Sequence, residues 1–253
     1  AHRIPSLYEM QGDTRRIALG ETTPVDRTYL ATQGIQPELV DTLEIGYLWE
    51  LKAYRASLDL RAFHEHLPNR LQWVPKQLTP ATADSFTTVN EPFGKADSYV
   101  KAEDTRVHGV EYQMKWQPFD ATRLIYNHAY IRVDANLDPN VPYADAVDNI
   151  AKIFMHTRYS APRHSGMLMW IQQLPYGLES SVSYYKTSYM RWTRNSYIDP
   201  IERVDWRLGW PFKFGANRGE ISFVTQAANR TNAEFRNTRL VGQRSWLSLR
   251  LDF

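Results

Sequence analysis

Apolar and polar side chains alternate through the last eleven residues, Gln243 to Phe253, and this alternation restricts the fold more than any other feature of the sequence. Successive side chains of an extended chain point to opposite sides, so every second residue shares a face. One face would carry Leu247, Leu249, Leu251 and Phe253, and the other would carry Arg244, Ser248, Arg250 and Asp252. Trp246 breaks the pattern, as an apolar residue on the polar side. The segment is therefore predicted to be a β-strand with one apolar and one charged face.

The same alternation recurs from Asp41 onward and predicts an all-β chain of about nine strands. It covers residues 41–49, 54–62, 99–116 (most clearly 110–116), 167–174, 178–192, 203–214 and 220–227, and more weakly 123–135. Tight turns are expected near residues 50, 119, 176 and 217, and longer connections near 80, 150, 197 and 236. In an antiparallel up-and-down sheet, every second connection lies at the same end. All the short turns would thus share one end, as do the short periplasmic turns of outer-membrane barrels, whose long extracellular loops lie opposite.

Three segments lack strand periodicity and are expected to be loops or connections. Residues 1–37 are densely punctuated by Gly and Pro, and residues 65–98 form a long polar stretch with several prolines. Residues 136–163 form a second long connection. Its apolar residues at roughly helical spacing allow either a short helix or an irregular loop with a few packed side chains; they are Ala144, Val147, Ile150, Ile153 and Phe154.

Full charges of both signs lie opposite the apolar faces, beginning with Arg55, Asp59 and Arg61. Burying such charges in a sandwich core would be costly, so they would face water around a soluble barrel or line the wet lumen of a membrane barrel. Aromatic residues make up 13% of the chain, which suits stacking surfaces or the interfacial girdles of a membrane barrel. We predict that the following residues face a lumen: Arg203, Asp205, Arg207, Glu220, Arg244, Arg250 and Asp252.

Composition and motifs exclude several other classes of protein. The net charge of +2 gives no indication of a nucleic-acid partner. No apolar run approaches the roughly 20 residues of a membrane-spanning helix. The absence of Cys excludes disulfides, thiolate metal sites and Cys nucleophiles. The chain also has no Gly-rich phosphate loop and no Gly-x-Ser-x-Gly elbow, so we predict no catalytic residues and no enzyme activity.

Two groups of residues are of a type that could bind a metal ion. His64 and His66 could share a strand face, and carboxylates in the second long connection could attract a hard cation. Those carboxylates are Asp134, Asp138, Asp145 and Asp148. The seven His residues are scattered and the acidic spacing fits no EF-hand, so solvated side chains are the preferred interpretation. We predict neither a metal site nor a cofactor.

Five segments, in the right order, resemble the C-terminal part of the barrel of TonB-dependent outer-membrane receptors. The first is Arg3-x-Pro5-Ser6-Leu7-Tyr8-Glu9, and the second is Gln36-Pro37-Glu38 followed by Thr42-x-Glu44-x-Gly46. The others are Val107-His108-Gly109-Val110-Glu111, then Ala161-Pro162-Arg163-His164, then Ala228-Asn229 and Glu234-Phe235 with Gly242 before the terminal strand. Each motif alone is weak, but together they cover nearly the whole chain.

This resemblance implies that residues 1–253 are the C-terminal part of an outer-membrane barrel from a Gram-negative bacterium. The family's plug domain, TonB box and earlier strands would lie outside the chain, since large barrels of this type have about 22 strands. The implied function is uptake of a scarce ligand, a ferric siderophore or similar iron chelate, energised through the TonB complex. The implied surroundings are outer-membrane lipid and lipopolysaccharide, and Phe253 would serve as the assembly signal.

Tyr, Trp, His and Arg residues near the long connections are the candidate ligand-binding residues, because Arg pairs with anionic oxygens and aromatic rings stack. They are Tyr99, Tyr143, His156, Arg158, Tyr159, Arg163, Tyr189, Arg191, Trp192, Arg194 and Tyr197. The alternative for the aromatic ones is an interfacial girdle. Alternatives for the whole chain are a passive or structural outer-membrane barrel, and a soluble aromatic-rich carbohydrate-binding β protein or hydrolase.

Overall fold

The computed structural model describes residues 2–17, 19–20, 24–77, 95–138, 156–191, 197–215, 217–229 and 242–252. The chain divides into two compact units. Unit 1 comprises residues 1–43, 65–107 and 134–157, and unit 2 comprises residues 44–64, 108–133 and 158–253. No helix in the described ranges is long and apolar enough to cross a membrane.

The described residues include fifteen strands and the short helix α1. The strands are β1 (His2–Arg3), β2 (Asp13–Ile17), β3 (Pro24–Leu30), β4 (Glu38–Leu39), β5 (Asp41–Leu51), β6 (Ala56–Gln77), β7 (Lys95–Phe119), β8 (Thr122–Leu137), β9 (His164–Gln173), β10 (Glu179–Thr187), β11 (Met190–Arg191), β12 (Tyr197–Ile198), β13 (Ile201–Phe214), β14 (Asn217–Ala228) and β15 (Gln243–Asp252). Helix α1 is Leu7–Gln11, and single 3₁₀ turns lie at Lys52–Tyr54 and Pro175–Gly177.

Nine of these strands pair with their neighbours in sequence, in the order β5-β6-β7-β8-β9-β10-β13-β14-β15. Every consecutive pair from β8 to β15 is antiparallel and free of register shifts. Within the described part of the chain, β5 and β15 each pair with one strand only, so they are the two edges of this array. The predicted antiparallel up-and-down order is confirmed.

The cross-strand register gives the sheet of unit 2 one apolar and one polar face. Leu247 and Leu249 of β15 lie opposite Phe223 and Ile221 of β14, and their side chains are 72% and 62% exposed. On the other face, Ser248 lies opposite Ser222, and the two hydroxyl oxygens are 2.7 Å apart. The alternation in the sequence therefore corresponds to a sheet whose apolar side chains share one face and whose polar side chains share the other.

Tight turns join the strands of unit 2 at the predicted places. The 3₁₀ turn after β5 ends at Arg55, whose φ of 50° is left-handed, and the turn after β9 holds Tyr176 at φ 64° followed by Gly177 at φ 75°. Gly215 takes φ 62° at the end of β13. Glycine adopts such left-handed angles without a steric cost. A residue with a side chain at position 215 would therefore be strained.

Buried side chains are concentrated in unit 1. Tyr29, Leu71, Val74, Ala96 and Ala102 are each no more than 6% exposed. Because unit 2 is a single layer with two exposed faces, it has little core of its own among the described residues. The two units are thus stabilised differently. Unit 1 is stabilised by its buried side chains, and unit 2 by hydrogen bonds between its strands and by the surroundings of its apolar face.

The prediction of a polar connection over residues 65–98 is wrong at both ends, because β6 extends to Gln77 and β7 begins at Lys95. The alternation is hidden there because polar residues are buried beside apolar ones. Gln72 and Ser98 are as buried as Leu71 and Ala96. Residues 78–94 lie outside the described residues.

The prediction of a loop over residues 1–37 is also wrong, since β1, α1, β2 and β3 lie within it. Ser6 caps α1: its hydroxyl accepts a hydrogen bond from the Glu9 amide, and the Glu9 carboxylate accepts one from the Ser6 amide. The Ser-x-x-Glu spacing of this reciprocal capping box is a recognisable sequence motif. Strands β2 and β3 pair with two register shifts, and such irregularity removes the period-two pattern.

Two further boundaries differ from prediction. Strand β8 runs to Leu137 before the second long connection, and the described end of that connection holds a helical turn at residues 156–158. The five apolar residues that suggested a short helix lie outside the described residues. The predicted strand over 178–192 ends at Thr187, after which Met190–Arg191 pairs separately with Tyr197–Ile198.

Candidate functional site

The polar face of β13, β14 and β15 carries a chain of ion pairs and hydrogen bonds. Arg207 bridges two carboxylates, Glu179 at 3.4 Å and Glu220 at closer range. The Gln226 amide donates to Asp205 at 2.8 Å. The remaining contacts join Arg203 to Asp205 at 3.1 Å, Arg244 to Gln226 at 2.7 Å, and Arg250 to Asp252 at 3.0 Å. All seven residues predicted to face a lumen thus share one face of the sheet; that the face lines a lumen stays a prediction.

Nearer β5, the same side of unit 2 forms an open cavity of about 620 Å³. Arg61 lies between Glu44 at 3.5 Å and Glu111 at 3.8 Å, and Asp59 adds another carboxylate to the lining. The Arg61 guanidinium also lies 5.6 Å from the centre of the Phe63 ring. The cavity is therefore a recess lined by both charged and apolar residues.

A cluster of three tyrosines and an arginine, which we call the Tyr–Arg cluster, lies in unit 2 beyond the ends of β9 and β10. The Tyr189 ring meets Tyr159 edge-on at 5.5 Å and stacks on Tyr197 at 6.1 Å. Arg191 donates from its Nε to the Tyr189 hydroxyl at 3.1 Å, and its backbone amide donates to the Tyr159 carbonyl. The short β11–β12 pair sets Arg191 opposite Tyr197. Four of the predicted ligand-binding residues are thus brought together.

The other predicted ligand-binding residues do not join this cluster in the described contacts. Arg158 is exposed, and Arg163 accepts a hydrogen bond at its backbone carbonyl from Ile131. Tyr99 and His156 belong to unit 1. Tyr143, Trp192 and Arg194 lie outside the described residues, as does Phe253.

Unit 1 holds Tyr99 in an aromatic cluster that the sequence did not predict. Tyr8 stacks on Tyr29 at 4.3 Å, and Tyr99 lies 6.1 Å from Tyr29 and 6.0 Å from Trp73. Tyr29 is 2% exposed, and burial raises the pKa of its phenol to about 12. The buried ring therefore fixes this cluster in place.

The Arg-x-Pro-Ser-Leu-Tyr-Glu motif folds into an ion-pair junction in the same unit. Arg3 contacts the carboxylates of both Glu9, at 3.1 Å, and Glu38. Glu38 also accepts a hydrogen bond from the Leu71 amide of β6. Burial by itself raises the pKa of the Glu9 carboxyl, but the bonds from Arg3 and Ser6 outweigh it, and the pKa lies below its usual range. The motif is thus a structural junction rather than a binding loop.

A second buried junction in unit 1 surrounds Glu103, whose side chain is completely buried. Its carboxylate accepts hydrogen bonds from Thr105 at 2.6 Å, Thr157 at 2.9 Å and Gln72, and it lies 3.4 Å from Arg70. Thr157 belongs to the helical turn that ends the second long connection. Glu103 therefore holds the end of that connection against β6 and β7.

The apolar face of unit 2 carries many large, exposed apolar side chains. Exposed apolar side chains recur on β5, β7, β9, β13, β14 and β15. Monomeric soluble proteins rarely expose contiguous apolar patches of more than a few hundred Å². A polar face on one side and such a face on the other is the arrangement of a membrane barrel wall. The family model described as TonB dependent receptor-like, beta-barrel matches residues 1–237.

The chain belongs to this family. Its sheet is a partial TonB-dependent receptor barrel, and the predicted fold class is confirmed. The family is one of outer-membrane receptors and transporters rather than enzymes.

Two solved structures have the same fold. The siderophore receptor PiuA from Acinetobacter baumannii is 14% identical with a TM-score of 0.52, and the match covers 76% of this chain and 24% of PiuA. The ferric preacinetobactin receptor BauA from the same organism is 14% identical with a TM-score of 0.53, and the match covers 95% of this chain and 32% of BauA. Both receptors are therefore much longer than the chain. No curated protein matches the sequence.

The metal hypotheses gain no support from this barrel segment. His66 contacts Asp104 at 2.7 Å, whereas the His64 ring stacks on His108. Asp134 and Asp138 have interactions within the protein, and Asp145 and Asp148 lie outside the described residues. No group of three or more potential metal-binding side chains occurs among the described residues.

Proposed function

We propose that this chain forms part of an outer-membrane receptor that imports a ferric siderophore or a similar iron chelate, with energy supplied through the TonB complex. The family match over residues 1–237 carries the proposal. Further support comes from PiuA, which is described as a siderophore receptor, and from BauA, which is described as a ferric preacinetobactin receptor. The plug, the TonB box and the earlier barrel strands would belong to the part of the receptor outside residues 1–253.

The Tyr–Arg cluster is the proposed ligand contact. It lies at the end of the sheet that carries the long connections, opposite the tight turns at 176 and 215. Guanidinium groups hydrogen-bond anionic oxygens, and tyrosine rings offer flat surfaces for stacking. Arg191 and Tyr189 are held together by a side-chain hydrogen bond, so their relative orientation is set before any ligand arrives. Such preorganisation favours binding of a rigid anionic chelate.

Uptake by the full-length receptor tests the proposal. A strain lacking the receptor gene, complemented or not, is grown under iron limitation on single radiolabelled ferric siderophores, with and without TonB. We expect at least one siderophore whose uptake needs both the receptor and TonB. Uptake that needs the receptor but not TonB would favour a passive barrel, and recovery of the protein as a detergent-free soluble monomer would exclude the membrane function.

Substitutions in the Tyr–Arg cluster test the contact itself. Arg191→Gln removes a charged donor, and the loss of a hydrogen bond to a charged group, about 1.5–3 kcal/mol, corresponds to roughly 10- to 100-fold weaker binding of the siderophore identified above. Arg250→Gln makes the same change near the tight-turn end of the sheet and should leave binding within about twofold. Equal effects of the two variants would contradict the assignment of the contact to this cluster.

A further inference from the structure

Two histidines meet on the apolar face of unit 2, although they lie 36 residues apart in the sequence. His128 belongs to β8, and His164 is the first residue of β9. The register sets His164 directly opposite Tyr130, so His128 is its diagonal neighbour. The two imidazole rings stack with their centres 5.4 Å apart, and His164 Nδ1 lies 3.3 Å from His128 Nε2. We call these two side chains the histidine pair.

The approach of the two rings depends on Gly166 of β9. The register places this glycine directly opposite His128, so no side chain of β9 lies against the imidazole there. A Cβ atom at Gly166 would lie 3.3 Å from Cδ2 of His128 and 3.0 Å from the Asn127 carbonyl oxygen, which is closer than ordinary van der Waals contact. The space beside the rings is a cavity of about 340 Å³. Since a water molecule occupies only about 30 Å³ in the liquid, the cavity has room for an ion and its water ligands.

Neighbouring groups hold both histidines in place. The Tyr130 ring lies 5.0 Å from the His164 ring, and the Tyr112 ring lies 5.4 Å from that of His128. The His164 amide donates to the Ser188 hydroxyl at 2.9 Å, and the Ser188 amide donates back to the His164 carbonyl at 2.8 Å. His128 Nδ1 is buried without a hydrogen-bond partner among the described residues, so Nε2 is the nitrogen through which this ring contacts a polar neighbour. The geometry of the histidine pair is therefore set before any ligand arrives.

The separation of the two nitrogens matches a tetrahedral zinc site. Bonds from Zn²⁺ to histidine nitrogens are about 2.0–2.1 Å long, so two such ligands at the tetrahedral angle have nitrogens about 3.3 Å apart. Imidazole suits Zn²⁺, Cu²⁺ and Ni²⁺, whereas Mg²⁺ and Ca²⁺ prefer oxygen ligands. Lys186 also lines the cavity, but its ammonium group forms an ion pair with Glu202 at 2.8 Å, so its charge is compensated.

We propose that the histidine pair binds a divalent transition-metal ion, best matched by Zn²⁺, through His128 Nε2 and His164 Nδ1. Two protein ligands leave the other two tetrahedral positions to water from the cavity. The ion would join β8 to the first residue of β9, at the point where the second long connection ends. Because the pair is assembled only in the folded sheet, bound metal should stabilise the folded protein. The site lies on the apolar face, so the ion is part of the wall and not a cargo of the polar face.

Zinc titration of the full-length receptor, purified in detergent and stripped of metal, tests the site. Isothermal titration calorimetry with Zn²⁺ should detect an equivalent in the wild type that His128→Asn and His164→Asn each weaken about tenfold or more, the equivalent of about 1.4 kcal/mol. Both variants should lose the same equivalent, because the two nitrogens bind one ion. Excess Mg²⁺ should not displace the Zn²⁺. Excess Zn²⁺ should raise the unfolding temperature of the wild type more than that of either variant.

His108→Asn is the matched control. It removes another histidine of unit 2, whose ring stacks on that of His64 with the centres 6.3 Å apart. This variant should bind Zn²⁺ like the wild type. Heat-modifiable migration on gels verifies that each variant is folded. Zinc binding that is unchanged in either His128→Asn or His164→Asn, or that falls as much in His108→Asn, would overturn the proposal. Zinc binding is measured without any siderophore, so its outcome is independent of the transport function.

Discussion

Replacing Glu103 by Gln should loosen unit 1 without unfolding the receptor. The side chain keeps its volume, but one carboxylate oxygen becomes an NH₂ group that faces other donors. Thr105, Thr157 and Gln72 all donate to this carboxylate, and Arg70 lies 3.4 Å away. The substitution therefore turns the acceptor of the Thr105 bond, or of the Thr157 and Gln72 bonds, into a donor, and it removes the only described counter-charge of Arg70.

The expected magnitude follows from burial. Hydrogen bonds to a charged group contribute about 1.5–3 kcal/mol each, but bonds that share one carboxylate are not additive. Breaking a buried ion pair by removing one partner costs about 3–5 kcal/mol. Glu103 is fully buried, whereas the Arg70 side chain keeps 28% of its exposure and can still reach water. We therefore expect the lower end, about 3 kcal/mol, in the free energy of local opening.

Hydrogen exchange in the full-length receptor measures this opening, because exchange resolves local from global unfolding. About 3 kcal/mol corresponds to roughly 100-fold faster exchange in peptides from β7 around residue 103. Glu111→Gln is the matched control: Glu111 is 42% exposed and lies 3.8 Å from Arg61, so less than about 1 kcal/mol should be lost. Exchange in the Glu103→Gln variant within twofold of the wild type would refute the assignment of Glu103 as a junction.

Three further outcomes are expected. Leu247→Arg places a charge on the apolar face near the middle of β15 and should cost about 2–4 kcal/mol in membrane assembly, measured by heat-modifiable migration; Ser248→Arg, on the opposite face, should cost no more than about 1 kcal/mol. Because the pKa of Glu9 is lowered in the folded state, the stabilisation that Glu9 gives to α1 should be complete above about pH 4.3 and be lost as the pH falls through the folded pKa. In the Glu9→Gln variant, hydrogen exchange of the α1 amides should not show this dependence on pH. Because the pKa of Tyr29 is raised to about 12, the stability that this phenol contributes should be complete below about pH 10 and be lost as the pH rises toward 12. Thermal unfolding measured over this pH range should show no such loss in the Tyr29→Phe variant.

The sheet of unit 2 was predictable because its two environments differ. Leu247 and Leu249 lie on the apolar face of β15, and Ser248 and Arg250 alternate with them on the polar face. Periodicity failed in unit 1 for the opposite reason. Gln72 and Glu103 are buried there beside Leu71, so polarity no longer indicates which side of a strand is covered. No hydropathy pattern can separate the faces of a strand whose buried side chains are both polar and apolar.

The candidate site was predictable only in part, because residue type indicates chemistry but not proximity. Tyr159 lies far in sequence from Tyr197, and the short β11–β12 pair that joins Tyr197 to Arg191 has no periodic pattern of its own. The capping box at Ser6 and Glu9 was present in the sequence as a local motif with fixed spacing. The contact of Glu38 with the Leu71 amide depends on tertiary structure and could not be foreseen from either segment alone.

The two faces of unit 2 should differ in how they tolerate change. On the polar face, oppositely charged side chains form ion pairs, as Arg207 does with Glu179 and Glu220. These side chains stay partly exposed. Loss of one partner there leaves a charge that water can solvate, so each substitution costs at most about 1 kcal/mol. On the apolar face no water competes once lipid covers Leu247, and a new charge has no partner. Substitutions on the polar face should therefore be tolerated better than new charges on the apolar face.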